Sequence, residues 1–369
     1  MLSSMCASSR DMPDPRTAPT EACPSGAFSP RAGRRIAALV AASLSFAPAH
    51  AQSLAEFYKA KGLTIYVGSE AGSGYDIPAR VLARHMGRYL PGQPSIVVKN
   101  MPGANGIVVT NYMAARAPKD GSEIAGTHNT IVIDAMLNND AVRFRPDELQ
   151  WIGSTSPTTN TCTVWRTAPA QTFEQAREKE LRIGATSATD ATAIVPRFIN
   201  RFTGTKMKIV RGYKGTSQIY LAMESGEIDG VCAAWDSILK WRPAGLSSPD
   251  IKVLVQVNAN PDPLLPGIAF VKDLAQNPAD RAALNFLTAR QAFARPFIAP
   301  PGTEAVKVAA LRKAFADTMR DAEFLADAQK SQVPIEPMQG EAVQDYIAQL
   351  LKTPKEVVDA ANEATRPEP

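Results

Sequence analysis

Histidine and cysteine are the scarcest reactive residues in this chain, three and four of 369. Only His85, His128, Cys162 and Cys232 fall beyond residue 51. Two cysteines without His or Cys neighbours at ligand spacing exclude the common zinc frameworks, and no metal is expected. There is no Gly-x-Ser-x-Gly elbow, no metal-spaced pair of His or Glu and no Cys–His nucleophile arrangement, so hydrolytic machinery is not visible. Gly-Lys-Ser/Thr is also missing, which excludes the usual phosphate loop, and no cofactor is expected. Lys and Arg number 40 against 36 Asp and Glu. Five of those basic and three of those acidic side chains precede residue 52, leaving 35 against 33 in the remainder. That balance, with no basic run, argues against nucleic acid or an anionic membrane as partner and for a small molecule or a protein.

Long apolar runs are likewise missing after residue 51, and that portion is expected to be soluble. The one short run is informative. Arg31, Arg34 and Arg35 precede Ile36 to Phe46, which is too short to span a bilayer, and Ala49-His50-Ala51 offers small side chains to a peptidase. Residues 1–51 are therefore expected to be a leader and signal peptide, with the mature chain starting near Gln52 outside the cytoplasm. Cys6 and Cys23 would leave with it. Cys162 and Cys232 then remain in an oxidising compartment, each in a strand-like run, Thr161 to Trp165 and Ile228 to Ala234. A disulfide between neighbouring strands of one sheet is one arrangement, and two separately buried thiols is the other.

About 318 mature residues exceed one ordinary core, so two lobes are expected. Strands alternate with helical patterns: strands at 63–68, 95–99 and 123–127 with helices at 77–89 and 106–115, then strands at 151–154, 161–165, 182–185, 208–210 and 230–234 with helices at 172–179, 191–203 and 216–225. Strands at 252–257 and 295–299 and helices at 278–290, 303–319, 322–329 and 341–351 complete the reading. This is an α/β pattern with mainly parallel sheets flanked by helices. Ser156-Pro157-Thr158-Thr159 and the Pro-rich stretch 260–267 mark boundaries. Residues 52–157 with 258–369 are assigned to lobe I and 158–257 to lobe II.

In open α/β sheets ligands collect beyond the carboxyl ends of strands. Gly68-Ser69-Glu70-Ala71-Gly72-Ser73-Gly74-Tyr75-Asp76 runs from the first strand into the first helix, and Pro102-Gly103-Ala104-Asn105-Gly106 repeats the arrangement. Gly184-Ala185-Thr186-Ser187-Ala188-Thr189-Asp190 repeats it in the other lobe. Glycine admits close backbone approach, and a helix start offers free N–H groups and a positive dipole end, so an anion is the natural guest. Asp76 reads as a helix cap or orienting acceptor, because no second carboxylate accompanies it. The first loop lacks the spacing and distant acidic residue of a dinucleotide site.

These residues resemble the periplasmic solute receptors of tripartite tricarboxylate transporters, the TctC or Bug type, from about Phe57 to about Val358. Besides the loops, the likeness is carried by Ala79-Arg80, Asn100-Met101, Ala117-Pro118-Lys119-Asp120-Gly121, Tyr213-Lys214-Gly215, Ser225-Gly226-Glu227-Ile228-Asp229-Gly230, Leu265-Pro266-Gly267 and Pro296-Phe297-Ile298-Ala299-Pro300-Pro301-Gly302. It implies a hinged, two-lobed periplasmic binding protein, type II-like and monomeric, that closes on a small carboxylate solute and presents it to membrane permease subunits of a tripartite transporter. By position, the ligand contacts would be Gly72, Ser73, Gly74, Tyr75 and Asp76 with Gly103, Ala104 and Asn105, held through backbone amides and waters. Thr186, Ser187, Ala188, Thr189 and Asp190 would face them, with Asn129, Trp235 and Asp236. Tyr75, Thr189 and Asp190 depart from the residues usual in relatives. A phenol and an added carboxylate narrow the cleft and alter its charge preference.

Two other classes remain open at this point: an exported hydrolase, with His128 near a strand end as its one histidine in reach of a cleft, and a sensing ectodomain whose closed form is read by a signalling protein. His85, inside the first helix, reads as a partly exposed helical residue and not as a general base.

Overall fold

Ser53 starts the first helix: its hydroxyl accepts from Glu56 N–H while the Glu56 carboxylate accepts from Ser53 N–H, a reciprocal cap on α1 (Leu54–Lys61). The computed structural model describes residues 53–366 except 138 and 189. The stretches assigned to the leader, Cys6 and Cys23, and Thr189 lie outside the described residues. The chain continues through β1 (Leu63–Val67), α2 (Asp76–Met86), β2 (Ile96–Asn100), α3 (Ile107–Ala115), β3 (Glu123–Gly126), α4 (Thr130–Met136) and β4 (Gln150–Ser154). Next come β5 (Asn160–Trp165), α5 (Phe173–Glu178), β6 (Leu181–Ala185), α6 (Ala191–Thr203), β7 (Met207–Arg211), α7 (Thr216–Glu224), β8 (Gly230–Ala234), α8 (Trp235–Trp241) and β9 (Ile251–Val257). The last part holds α9 (Pro278–Ala289), β10 (Pro296–Ala299), α10 (Ala305–Thr318), α11 (Ala322–Lys330), β11 (Met338–Gln339), α12 (Gly340–Leu350) and α13 (Lys355–Thr365).

The strands form two open sheets. One has the order β11-β4-β10-β3-β1-β2 and the other β7-β6-β8-β5-β9. In the first, β1, β2 and β3 are parallel, β10 runs against both β3 and β4, and β11 runs against β4. In the second, β6, β7 and β8 are parallel and β5 alone runs against its neighbours β8 and β9. The architecture is thus α/β with two mixed sheets flanked by helices: most strands of each sheet run the same way, while five of the nine pairings among the described residues are antiparallel. The chain passes from the first sheet to the second through 155–159 and returns through 258–295. Cys162 and Cys232 are register partners on β5 and β8, with Cα atoms 4.0 Å apart, and are joined by a disulfide.

Apolar packing explains the layers. Leu82, Met86, Leu311 and Phe315, from α2 and α10, cover one face of the first sheet around Ile65 and Phe297. Trp151, Phe198, Leu284 and Ala361 belong to a second core that extends through α6, α9 and α13 behind the other sheet. A third, around Ile219, Val231 and Ile238, lies under α7 and α8. Four helices, α1, α4, α8 and α13, escape the periodicity reading. α4 and α8 have only seven residues each, and α8 starts at the very residue after β8, too short for a 3.6-residue period to register. α13 fully buries only the small side chains Ala361 and Ala364.

Candidate functional site

Loop 68–76 follows β1 and is organised by Asp76, whose carboxylate is buried. Its Oδ2 accepts from Gly72 N–H and Arg80 Nε, both at 2.8 Å, and Oδ1 accepts from Asn100 Nδ2 at 2.7 Å. Burial alone would push this carboxyl up, but those donors outweigh it and hold it below the usual range. The carboxylate is therefore spent on shaping the loop, and Ser73 Oγ adds bonds to Ser69 Oγ (2.6 Å) and from Asp76 N–H (3.2 Å).

Loop 103–106 lies against it. Gly103, Ala104, Asn105 and Gly106 have φ of 142°, 44°, 50° and 85°, a run of left-handed backbone that only glycine adopts freely. A Cβ on Gly68 would come within 3.0 Å of Gly106 Cα, and one on Gly106 would sit 2.9 Å from His128 N. Beyond the end of β3, His128 stacks flat on Tyr75, with ring centroids 3.8 Å apart and planes 12° apart. Burial drags the imidazole down to about 4, against an upward pull from Asp190 and a backbone contact with Gly68, so the ring is neutral at pH 7. Its Nε2 is buried without a hydrogen-bond partner. Asn129 is buried beside it, accepting weakly from Tyr75 Oη (3.4 Å) and donating to Arg290 O (2.8 Å).

The loop after β6 faces this group. Asp190 caps α6, accepting from Thr192 N–H (2.9 Å) and Thr192 Oγ1 (2.7 Å), and Thr192 Oγ1 in turn accepts from Thr186 N–H (3.1 Å). The Asp190 charge acts on Tyr75, His128 and Arg290 alike. Loops from the two sheets thus come within electrostatic reach of one another around Tyr75, His128 and Arg290, and the space between them is the candidate crevice. Ala188 O accepts from Arg197 Nη1, which also bonds Thr365 O at the end of α13.

Arg295 spans the crevice. Its Nε donates to Gly74 O (3.1 Å), Nη1 to Ser156 Oγ (2.7 Å) and Nη2 to Asp236 Oδ2 (2.7 Å), tying the first loop, the 155–159 crossing and the start of α8 together. Arg295 and Asp236 also line a cavity of about 1170 Å³, together with Pro157, Trp235, Asn258 and Leu264. Asp236 is therefore in the crevice wall but already paired. Trp235 is buried, contributing to the core under α8 and one edge of that cavity. Ser187 is exposed and Ala188 half-buried.

Residues 78–362 match the model of the tripartite tricarboxylate transporter family receptor, more than half of the chain. The chain belongs to this receptor family. Proteins of known structure share its fold: a TctC solute-binding protein from Polaromonas is 17% identical with a TM-score of 0.62, over 80% of this chain and 97% of that one. The periplasmic binding protein BugD is 18% identical with a TM-score of 0.59, over 83% and 98%. MatC from Rhodopseudomonas palustris, solved with malate, is 19% identical with a TM-score of 0.57, over 82% and 98%. A curated Cupriavidus necator protein, described as a UPF0065 protein in the gbd 5′ region, is 41% identical over 98 residues. That match spans only 27% of this chain and 28% of the relative.

Arg290, Arg295, Asp134 and Ser156 are crevice residues that sequence reasoning missed. The only local signal is two arginines five apart, on either side of Ala292-Phe293-Ala294. Among the described residues, one trio of donors is close enough to share an ion: His85, Asp321 and Glu323. Its carboxylates are already engaged by Arg88, and Asp321 also by Tyr89, while His85 Nε2 meets Asp327.

Proposed function

We propose that this member of the receptor family is an exported solute receptor that takes a small carboxylated metabolite into the crevice between its two sheets and hands it to a tripartite tricarboxylate-type permease in the membrane. The observation that carries the proposal is the convergence of three strand-to-helix loops, 68–76, 103–106 and 186–190, around Tyr75 and His128. Backbone N–H groups at helix starts favour an anion, and loop backbone bent to positive φ turns its amides to one side. Related structures carry malate in MatC and adipate in another R. palustris protein, which is the chemistry expected here. Among the described residues no helix is long and apolar enough to cross a membrane. In this scheme residues 52–157 with 258–369 form one lobe and 158–257 the other, the lobes close about the two crossings, and the protein works as a periplasmic monomer without enzymatic turnover.

Thermal unfolding of the mature chain with succinate, malate, adipate and benzoate tests the role. A solute at about 100 times its dissociation constant adds about 2.7 kcal/mol of stability, so at least one acid should raise the melting temperature by several degrees. No rise with any acid, together with turnover of an ester or amide, contradicts it.

A further inference from the structure

Arg290 stands in the turn that follows α9, within electrostatic reach of Tyr75 and Asp190 from the facing loops, and is 7% exposed. Its backbone carbonyl accepts from Asn129, but among the described residues its guanidinium has no hydrogen-bond or ion-pair partner. Arg295, five residues on, is the contrast: each of its three nitrogens is engaged. Asp134, Tyr75 and Asp190 are near enough to Arg290 to act on it electrostatically, and burial, the largest influence, pulls its pKa down. A charge withdrawn from water without a bonded partner is destabilising, and a protein retains one where a ligand completes it. The guanidinium is built for that task, because its planar fork matches a carboxylate with two parallel bonds. A second polar atom without a partner belongs to the same group of residues: His128 Nε2, buried in the ring stacked on Tyr75, with Asp190 acting on both His128 and Arg290.

We propose that Arg290 is the charge anchor of the crevice, gripping the solute's carboxylate directly, so that binding here depends on a formal ion pair and not on backbone amides and water alone. This rests on the receptor role proposed above and narrows it to solutes whose carboxylate is ionised and unmodified. Asp190 and Asp134 flank the anchor, so a second negative group on the solute must point away from them, toward the loop amides at 72–74 and 103–105.

Calorimetric titration of the mature chain with each acid beside its neutral amide, namely succinate and succinamide, malate and malamide, adipate and adipamide, benzoate and benzamide, reads the anchor without any mutation. The preferred acid should bind about 10- to 100-fold more tightly than its amide, the span of a charge-assisted hydrogen-bond pair. In Arg290→Gln that preference should collapse to a few-fold, while the ligand-free melting temperature holds or rises because an unpaired buried charge is gone. Arg290→Lys, which keeps the charge but loses the fork, should fall between. Equal affinity of the wild type for acid and amide overturns the anchor and leaves the receptor role standing, as does an Arg290→Gln variant that melts lower yet keeps the full acid preference. Absence of binding by every acid overturns both.

Discussion

At neutral pH the imidazole of His128 is held uncharged by burial, its pKa lowered from 6.5 to about 4. Between those two values the unfolded chain binds a proton that the folded chain does not, so stability rises with pH there. The contribution is full above pH 6.5, declines as pH falls toward 4 and is lost below it. The groups facing the ring are Tyr75, Gly68 and Asp190. Melting temperature followed from pH 7 to pH 4 should fall more steeply for the wild type than for His128→Gln; parallel curves would remove His128 from the titrating groups. Little of this was legible in the sequence. A lone histidine at a strand end gives its residue type and no environment, and the stacking on Tyr75 joins positions 53 residues apart. Arg290 and Arg295 were invisible for the same reason: what separates a free guanidinium from a triply bonded one is tertiary contact.

At the scale of elements the sequence was far more explicit. The glycine-bearing loops stand between a strand and a helix start as their order implied, because apolar runs of five residues and amphipathic helices such as α6 write their own periods. Asp190 and Thr192 give α6 a cap that is readable in one dimension. The left-handed run at 103–106 was only half legible: Gly103 and Gly106 announce it, whereas Ala104 and Asn105 at positive φ do not. The consequence is testable. In Gly106→Ala a methyl group would meet Thr127 Oγ1 at 2.8 Å and His128 N at 2.9 Å on backbone with φ 85°, which should cost on the order of 1–3 kcal/mol. Gly72→Ala, at φ 79° with open space around it, carries backbone strain without a clash and should lose less. Urea unfolding of the two variants orders them, and equal losses would mean that loop 103–106 yields without resistance.

On the scale of the whole molecule, the chain crosses between its sheets twice and gathers both sets of loops on one crevice, with Arg295 bridging Gly74 O and Asp236 across it. The Arg295 side chain is 12% exposed and that of Asp236 31%, sheltered enough for the pair to outlast screening by salt. Helix α13 packs on α9 and α6, and Arg197 joins its end at Thr365 to the loop at Ala188, so the end of α13 supports that loop. The two-sheet α/β class was legible because strand and helix patterns alternate; the closeness of α13 to α6 was not, since nothing local in either helix names the other. The proposed function depends on the three loops holding one acid between them. A crystal structure of the mature protein grown with the acid that raises its melting temperature most is the direct measurement. Density for that acid should lie among residues 72–75, 103–105 and 186–190 with a carboxylate on Arg290; density among Pro157, Asn258 and Leu264 in the large cavity, or on an outer face, would contradict it.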